Sequence, residues 1–339
     1  MKFGPVPLED AAGKILAHNL LAPDGRKLFS KGHVLTAADL QLLGELHLES
    51  VIVAAPSPSD LGENEAARRV GAAIAGANVR VVAPGVGRCN LVAQAKGPLG
   101  INVPLLNRLN NIDEGITIAT LREHTLVQPG QLLALVKIIP FAIPAARVED
   151  VEAVARESAP VITVRPLQPR SVALIVSGPE SNRERLIEDF CGPINDRIRR
   201  LDSTLDSVVF VPHAASAVAT ALREQCEAGR DLILHAGVSA IIDREDVVPS
   251  ALREAGGTVT HFGVPVDPGS LLMLGYIGRV PVIGAPGCLK SRKTNVVDWI
   301  LPRLLAGERL TRADLVVMGH GGLLDDISER PMPRQSAEE

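Results

Sequence analysis

The chain has 339 residues, of which 46% are hydrophobic and 22% charged, with a formal net charge of −4; this is the balance of a folded globular protein, long enough for two domains or three small ones. Acidic and basic residues are interspersed and aromatics are only 2%, so no basic run neutralises successive phosphates and no aromatic platform stacks bases; nucleic acid is not an expected partner. Met1 to Leu20 carries Glu9 and Asp10 without a long apolar stretch, and no segment reaches the apolar length of a membrane span, so neither a secretory signal nor a membrane is expected and the expected localisation is cytoplasmic.

From Gly4 to about Ala54 the pattern predicts a short first element, a turn at Pro23-Asp24-Gly25, and a helix from Thr36 through Leu48 that leads into a strand at Ser50-Val51-Ile52-Val53. Thr36 is the expected N-cap, with Asp39 adding negative charge to the first turn. Pro56 to Ser59 is a loop, and Asn64 to Gly76 is an Ala-rich helix. Between Val79 and Ile139 the runs Val79 to Val82, Ile116 to Ala119 and Leu132 to Ile139 are β-branched and separated by Gly, Asn and Pro, which predicts a small β-rich module. Gln128-Pro129-Gly130-Gln131 is a turn before the last run, Pro140 and Pro144 close the module, and Val148 to Arg156 forms a linking helix.

From Ser171 the character changes to fully apolar strands alternating with helices: strand Ser171 to Val176, helix Asn182 to Leu201, strand Ser207 to Val211, helix Ala214 to Ala228, strand Asp231 to Leu234. Strands apolar on both faces imply a mostly parallel sheet covered by helices on each side, with ligands at the carboxyl ends of its strands. The loops at Ser177, His213 and His235 are therefore the first place to look. A further strand is expected over Asp314 to Met318, followed by a Gly319-His320-Gly321-Gly322 turn that either closes over the same pocket or simply reverses the chain. The expected organisation is an α+β N-terminal region over 1–150 with its β-rich module at about 79–140, a linker at 151–170, an α/β domain over 171–327 and a disordered tail at 328–339.

The segment after His235 is a glycine-and-serine turn of the kind that lets backbone N–H groups approach an anion ahead of a helix, and it is equally what an ordinary strand-to-helix crossover looks like. Ala236-Gly237-Val238-Ser239-Ala240-Ile241-Ile242-Asp243 resembles the Gly-Gly-x-Ser-x-Gly-x-x-Asp signature of the molybdopterin-binding domain shared by molybdopterin molybdotransferases and molybdopterin adenylyltransferases. Val264 to Ser270 is similar to the family's Pro-Gly-Lys-Pro segment, Gly284-Ala285-Pro286-Gly287-Cys288 to its Gly-Leu-Pro-Gly-Asn-Pro loop, and Ser177-Gly178-Pro179-Glu180 to its Thr-Gly-Asp-Glu. More weakly, Leu8 to Gly13 and the following helix resemble the N-terminal region of the molybdotransferases.

The resemblance implies a three-layer α/β/α molybdopterin-binding domain that takes molybdopterin or its adenylated form. In transferase members magnesium and carboxylates release AMP as molybdate is inserted. Carried over by position, Ser177, Gly178, Glu180, Gly237, Val238, Ser239, Asp267, Pro268, Gly269, Pro286, Gly287 and Cys288 would bind pterin or phosphate. Asp243 would be the catalytic acid, and Asp243 with Asp246 or Glu245 would hold Mg2+, although the two latter residues are also what decorates a helix N-terminus. This sequence departs from the family at Ala240-Ile241 for the glycine after the serine, at His213 for an aspartate, at Ser270 for the lysine, and at Cys288-Leu289 in the last loop. Lys290, Arg292 and Lys293 either replace the lost positive charge or form a solvated patch, and the residues after Asp326 are too few for the small C-terminal β domain of full-length molybdotransferases.

His33, His47 and His124 read as surface residues, and Cys89, Cys191, Cys226 and Cys288 are too far apart for a metal pair and read as structural thiols; Cys288, in a Gly-rich loop, either meets molybdenum or substrate or packs the loop. Two functions are implied: a divergent molybdotransferase in molybdenum cofactor biosynthesis, or a non-catalytic carrier or sensor that delivers the cofactor to a recipient molybdoenzyme or cofactor-synthesis enzyme. Retained glycines with altered carboxylates suit the carrier, because binding needs the cradle and transfer needs the acids. A hydrolase using Asp243 and a metal-bound water is a third. The resemblance implies a homo-oligomer.

Overall fold

A computed structural model describes residues 1–158 and 160–324, in two compact units, Met1–Arg165 and the chain from Pro166 onward. The expected tail at 328–339 lies outside the described residues, as do the last residues of the expected domain, 325–327.

The first unit opens with β1 (Lys2–Pro7), β2 (Ile15–Leu16), β3 (Leu20–Leu21), β4 (Lys27–Phe29), α1 (Ala37–Glu45) and β5 (Ser50–Ala55). The order β1-β5-β2 makes a small antiparallel sheet, and β3 and β4 form a hairpin. Thr36 caps α1 as expected: its hydroxyl accepts the Asp39 N–H while the Asp39 carboxylate accepts the Thr36 N–H. Leu43 of α1 is then buried with Leu16, Leu35, Val51 and Val53 in a compact core of its own.

A second core follows. It is built from β6 (Asp60–Gly62), α2 (Glu63–Ile74), β7 (Val79–Gly85), β8 (Arg88–Ala93), β9 (Gly97–Ile101), α3 (Val103–Asn110), β10 (Ile116–Thr120), β11 (Leu126–Val127), β12 (Leu132–Ile138), β13 (Ala142–Pro144), α4 (Ala145–Glu157) and β14 (Ile162–Val164). The sheet β10-β12-β8-β7 packs against α2. The 151–170 segment is not a free linker. Val148, Val151 and Ala155 form an apolar stripe of α4 buried in this core, and β14 pairs with β9, placing Ile162 opposite Ile101. The first unit therefore runs to Arg165 rather than stopping at 150.

The second unit is a mixed α/β layer structure. Its six strands, β15 (Ser171–Ser177), β16 (Thr204–Val211), β17 (Leu232–Gly237), β18 (Thr258–Phe262), β19 (Met273–Ile277) and β20 (Val280–Gly284), lie in the order β16-β15-β17-β20-β19-β18. Neighbours from β16 to β20 are parallel and the β20-β19-β18 edge is antiparallel, so the sheet is mostly parallel, as the apolar strands predict. Its helices are α5 (Arg183–Arg200), α6 (Ala215–Glu227), α7 (Val247–Glu254), α8 (Val296–Leu305) and α9 (Arg312–Val316). Val172 to Val176 is wholly buried, because helices cover both faces. Ala173, Ile175 and Ile233 meet Val218 and Leu222 of α6 and Val248 and Leu252 of α7 on one face, while α5 covers the other.

Asp314 to Met318, expected as a strand, is helical: α9 continues into a 3-10 turn at Val317–Gly319. Thr311 and Asp314 form a capping box, and Asp314 also accepts from the buried Arg303. Leu315 and Met318 are buried while Val316 and Val317 stay exposed, the spacing of one helix face rather than of a strand buried along its length.

Candidate functional site

The carboxyl ends of β16, β15, β17 and β20 lie side by side. Ser177 pairs with Val211 on one side and Gly237 on the other, and His235 pairs with Gly284. The loop joining β18 to β19 returns to this same edge, because β18 runs parallel to β20. The edge thus collects the loops 178–182, 212–214, 238–246, 263–272 and 285–295, which, with Ser177 and Gly237 at the ends of β15 and β17, hold every expected site residue.

At its centre is a hydrogen-bonded chain. The Ser177 hydroxyl lies 2.7 Å from His213 Nδ1 and 2.9 Å from His235 Nε2. Ser177 and His235 point to the same face of the sheet, since His235 pairs with Ile175 and alternate residues share a face. Both are buried, while His213 is partly exposed. Burial, then the nearby His213, pushes His235 down to about 3, so it is a neutral imidazole at neutral pH. Gly237 is required here, because a Cβ would stand 2.8 Å from the Ser177 oxygen.

The 238–246 loop separates β17 from the helix that follows it. Val238 donates its N–H to the Ser177 carbonyl, and Val238 and Ser239 are exposed on the edge. The following helix starts only at Val247. Ile241, standing near the family's glycine, is buried in the core with Met273 and anchors the loop from below. Asp243 and Asp246, expected as magnesium ligands, hold this loop together: Asp243 accepts the Glu245 N–H, and Asp246 accepts the Ile242 N–H on one oxygen and the Val247 N–H on the other, as the α7 N-cap. Among the described residues no group of three His, Cys, Asp or Glu side chains is arranged to hold a metal.

The remaining segments are tied to one another. Pro268 accepts the Val296 N–H at the start of α8, and Asp267 exchanges backbone bonds with Gly322 and Leu324. The Gly319-to-Gly322 turn thus binds the 264–270 loop. Gly269 sits at φ +126° against Val296, where a side chain would clash. Pro286 and Gly287 open a 3-10 turn, Gly287–Lys290. Burial pushes the Cys288 thiol up to about 11, which leaves it protonated and a poor ligand or nucleophile at neutral pH. Glu180 is exposed and paired with Arg183.

Lys290 and Arg292 do not face the edge as replacement cations. They pair with Asp189 and Asp196 of α5. Arg197, which the sequence reading passed over, is 3% exposed and is the post on which this loop hangs: it donates to Asp298 and to the carbonyls of Pro193, Leu289, Ser291 and Lys293. Its signal was present in the helical period, since Leu186, Phe190, Ile194 and Arg197 fall on one buried face of α5. A shallow depression in the first unit, lined by Leu8, Leu40 and Leu48 among others, contains none of the expected site residues.

The profile of a family described as "Domain of unknown function (DUF8806)" matches residues 5–55, the span of the small first core. No curated protein matches the sequence. Solved structures similar to the chain include a molybdenum cofactor biosynthesis protein from Pyrococcus furiosus, 16% identical over 93% of this chain and 65% of that one, with a TM-score of 0.19. A molybdopterin biosynthesis moeA protein from Pyrococcus horikosii is 13% identical over 90% of this chain and 75% of its own, at 0.30. A putative molybdenum cofactor biosynthesis protein from Corynebacterium diphtheriae is 16% identical over 42% of this chain and 100% of its own, at 0.31. The chain spans less than two thirds of the first of these, and likenesses at such TM-scores carry no inference about the site.

Proposed function

We propose that the second unit is a molybdopterin-binding module of molybdenum cofactor metabolism, which holds the pterin at the carboxyl edge of its sheet as a carrier rather than inserting molybdate. The observation that carries this reading is convergence. The segments resembling the family's motifs, Ser177-Gly178, Gly237-Val238-Ser239, Asp267-Pro268-Gly269 and Pro286-Gly287-Cys288, are far apart in sequence and lie along one edge of one sheet.

Carrier is favoured over transferase by the state of the acids. Insertion of molybdate with release of AMP needs carboxylates free to hold magnesium. Asp246 spends both oxygens on backbone N–H groups and Asp243 one of its own, so the loop does not fit a resident magnesium and no step of this reading passes through one. Delivery to a recipient molybdoenzyme and self-association belong to the same reading.

The test is to incubate the purified chain with molybdopterin or its adenylated form, with Mg2+ and molybdate, and follow pterin fluorescence and AMP together. Retained pterin without AMP, unchanged in Asp243→Ala, is the expected result. AMP release abolished in Asp243→Ala would make the protein a transferase, and failure to bind either pterin would sink the assignment.

A further inference from the structure

The chain His213–Ser177–His235 puts an imidazole on the site where the family it resembles carries an aspartate, and its geometry says what that imidazole does. A hydroxyl has one proton and two lone pairs, so Ser177 donates to one ring and accepts from the other. Ser177 and His235 are buried within the fold and rooted in neighbouring strands. A buried polar chain of this kind holds its members in place, because breaking any link strands a polar atom. His213 is the outer end: it sits on the loop after β16, is partly exposed, and its Nε2 has no hydrogen-bond partner among the described residues.

With the Ser177 proton on the His213 side, Ser177 accepts from His235 Nε2–H and donates to His213 Nδ1; the His213 ring proton is then on Nε2, an N–H facing away from the chain.

We propose that His213 is a phosphate-binding residue of this site, its Nε2–H donating to a phosphomonoester oxygen of the bound pterin, with Ser177 and His235 as the positioning residues that fix its ring. This rests on the reading that the unit binds a pterin. It adds a residue and a chemical preference: the site discriminates for the phosphorylated ligand.

The experiment uses the full chain with three probes: inorganic phosphate, molybdopterin, and the dephosphorylated pterin. Long-range 1H–15N spectra of the imidazoles are recorded through a phosphate titration, with His213 assigned by its loss in His213→Asn. The expected result is that the His213 Nε2 resonance moves while those of His235 stay. In His213→Asn, which keeps a polar atom near Nδ1 for Ser177 but nothing at Nε2, binding of phosphate and molybdopterin weakens roughly tenfold or more. Affinity for the dephosphorylated pterin is unchanged, and His213→Gln, whose amide reaches the Nε2 position, recovers part of the loss.

An equal loss for both pterin forms would make His213 merely structural and overturn the proposal, as would a His213 resonance that stays fixed while phosphate binds, or the absence of any phosphate response in the unaltered protein. The two readings fail separately. Phosphate that moves His213 in a protein binding neither pterin form removes the pterin reading and leaves the anion site; pterin binding that His213→Asn leaves intact removes the anion site and leaves the pterin reading.

Discussion

One point where pH acts on the second unit is His235. Its folded value is depressed from 6.5 to about 3 by burial and by His213, so between those values the unfolded chain takes up a proton that the native one refuses. Stability linked to this residue is fully present above 6.5 and is lost as pH falls toward 3, because the unfolded state binds the extra proton in that window. The loss reaches the order of several kcal/mol at the acid end. Thermal unfolding of the wild type is expected to show a steeper fall in midpoint across this range than His235→Gln; parallel curves for the two would remove His235 as the cause. Cys288 supplies the opposite sign. Its thiol is raised by burial to about 11, so it is expected to resist iodoacetamide at neutral pH in the folded protein and to react on unfolding. Peptide mass spectrometry after timed alkylation decides it, and rapid labelling of the native protein would count against the raised thiol.

At the scale of elements, a buried guanidinium anchors the loop from Gly287 to Asn295. Arg197 serves Asp298 and four carbonyls, so Arg197→Met removes the cationic partner of a half-buried carboxylate and leaves several acceptors unmatched at once. The expected cost is about 3–5 kcal/mol by chemical denaturation, with faster amide exchange confined to residues 288–295, and Asp298→Asn in the same chain recovers part of it. A loss spread evenly over the unit would mean that Arg197 supports the core rather than the loop. β15 and β17 were legible because they are buried on both faces and read as unbroken apolar runs, β18 and β19 were not read as strands, and α1 was legible because its capping box is local. What escaped was set by hydrogen-bond partners that an apolar pattern does not reveal. β14 is a strand only because β9 pairs with it, and the Leu315-to-Met318 run became helical because Thr311 and the buried Arg303 fix Asp314. The edge was legible from its glycines and strand ends. The chain through Ser177 was not, because register alone brings His235 beside a serine 58 residues away.

For the whole molecule, the two units have separate cores, one gathered from residues 66–164 with a smaller one before it, the other around the six-stranded sheet. Each buries its own apolar stripes, which is the condition for folding alone. The division falls between Arg165 and Pro166, so a chain cut there keeps α4 and β14 with the first unit, whereas a cut at 150 severs α4 in mid-helix and removes the partner of β9. Residues 1–165 are therefore expected to unfold in one cooperative step and residues 1–150 to be collapsed without one, measured by circular dichroism through a urea series. Residues 166–339 are expected to fold separately and, because every expected site residue lies within that span, to retain the whole pterin affinity of the intact chain. Cooperative unfolding of 1–150 would show that α4 and β14 decorate the first unit rather than complete it. A large loss of affinity in a folded 166–339 would mean that the ligand draws on residues outside the sheet edge, and the carrier reading would have to be rebuilt around them.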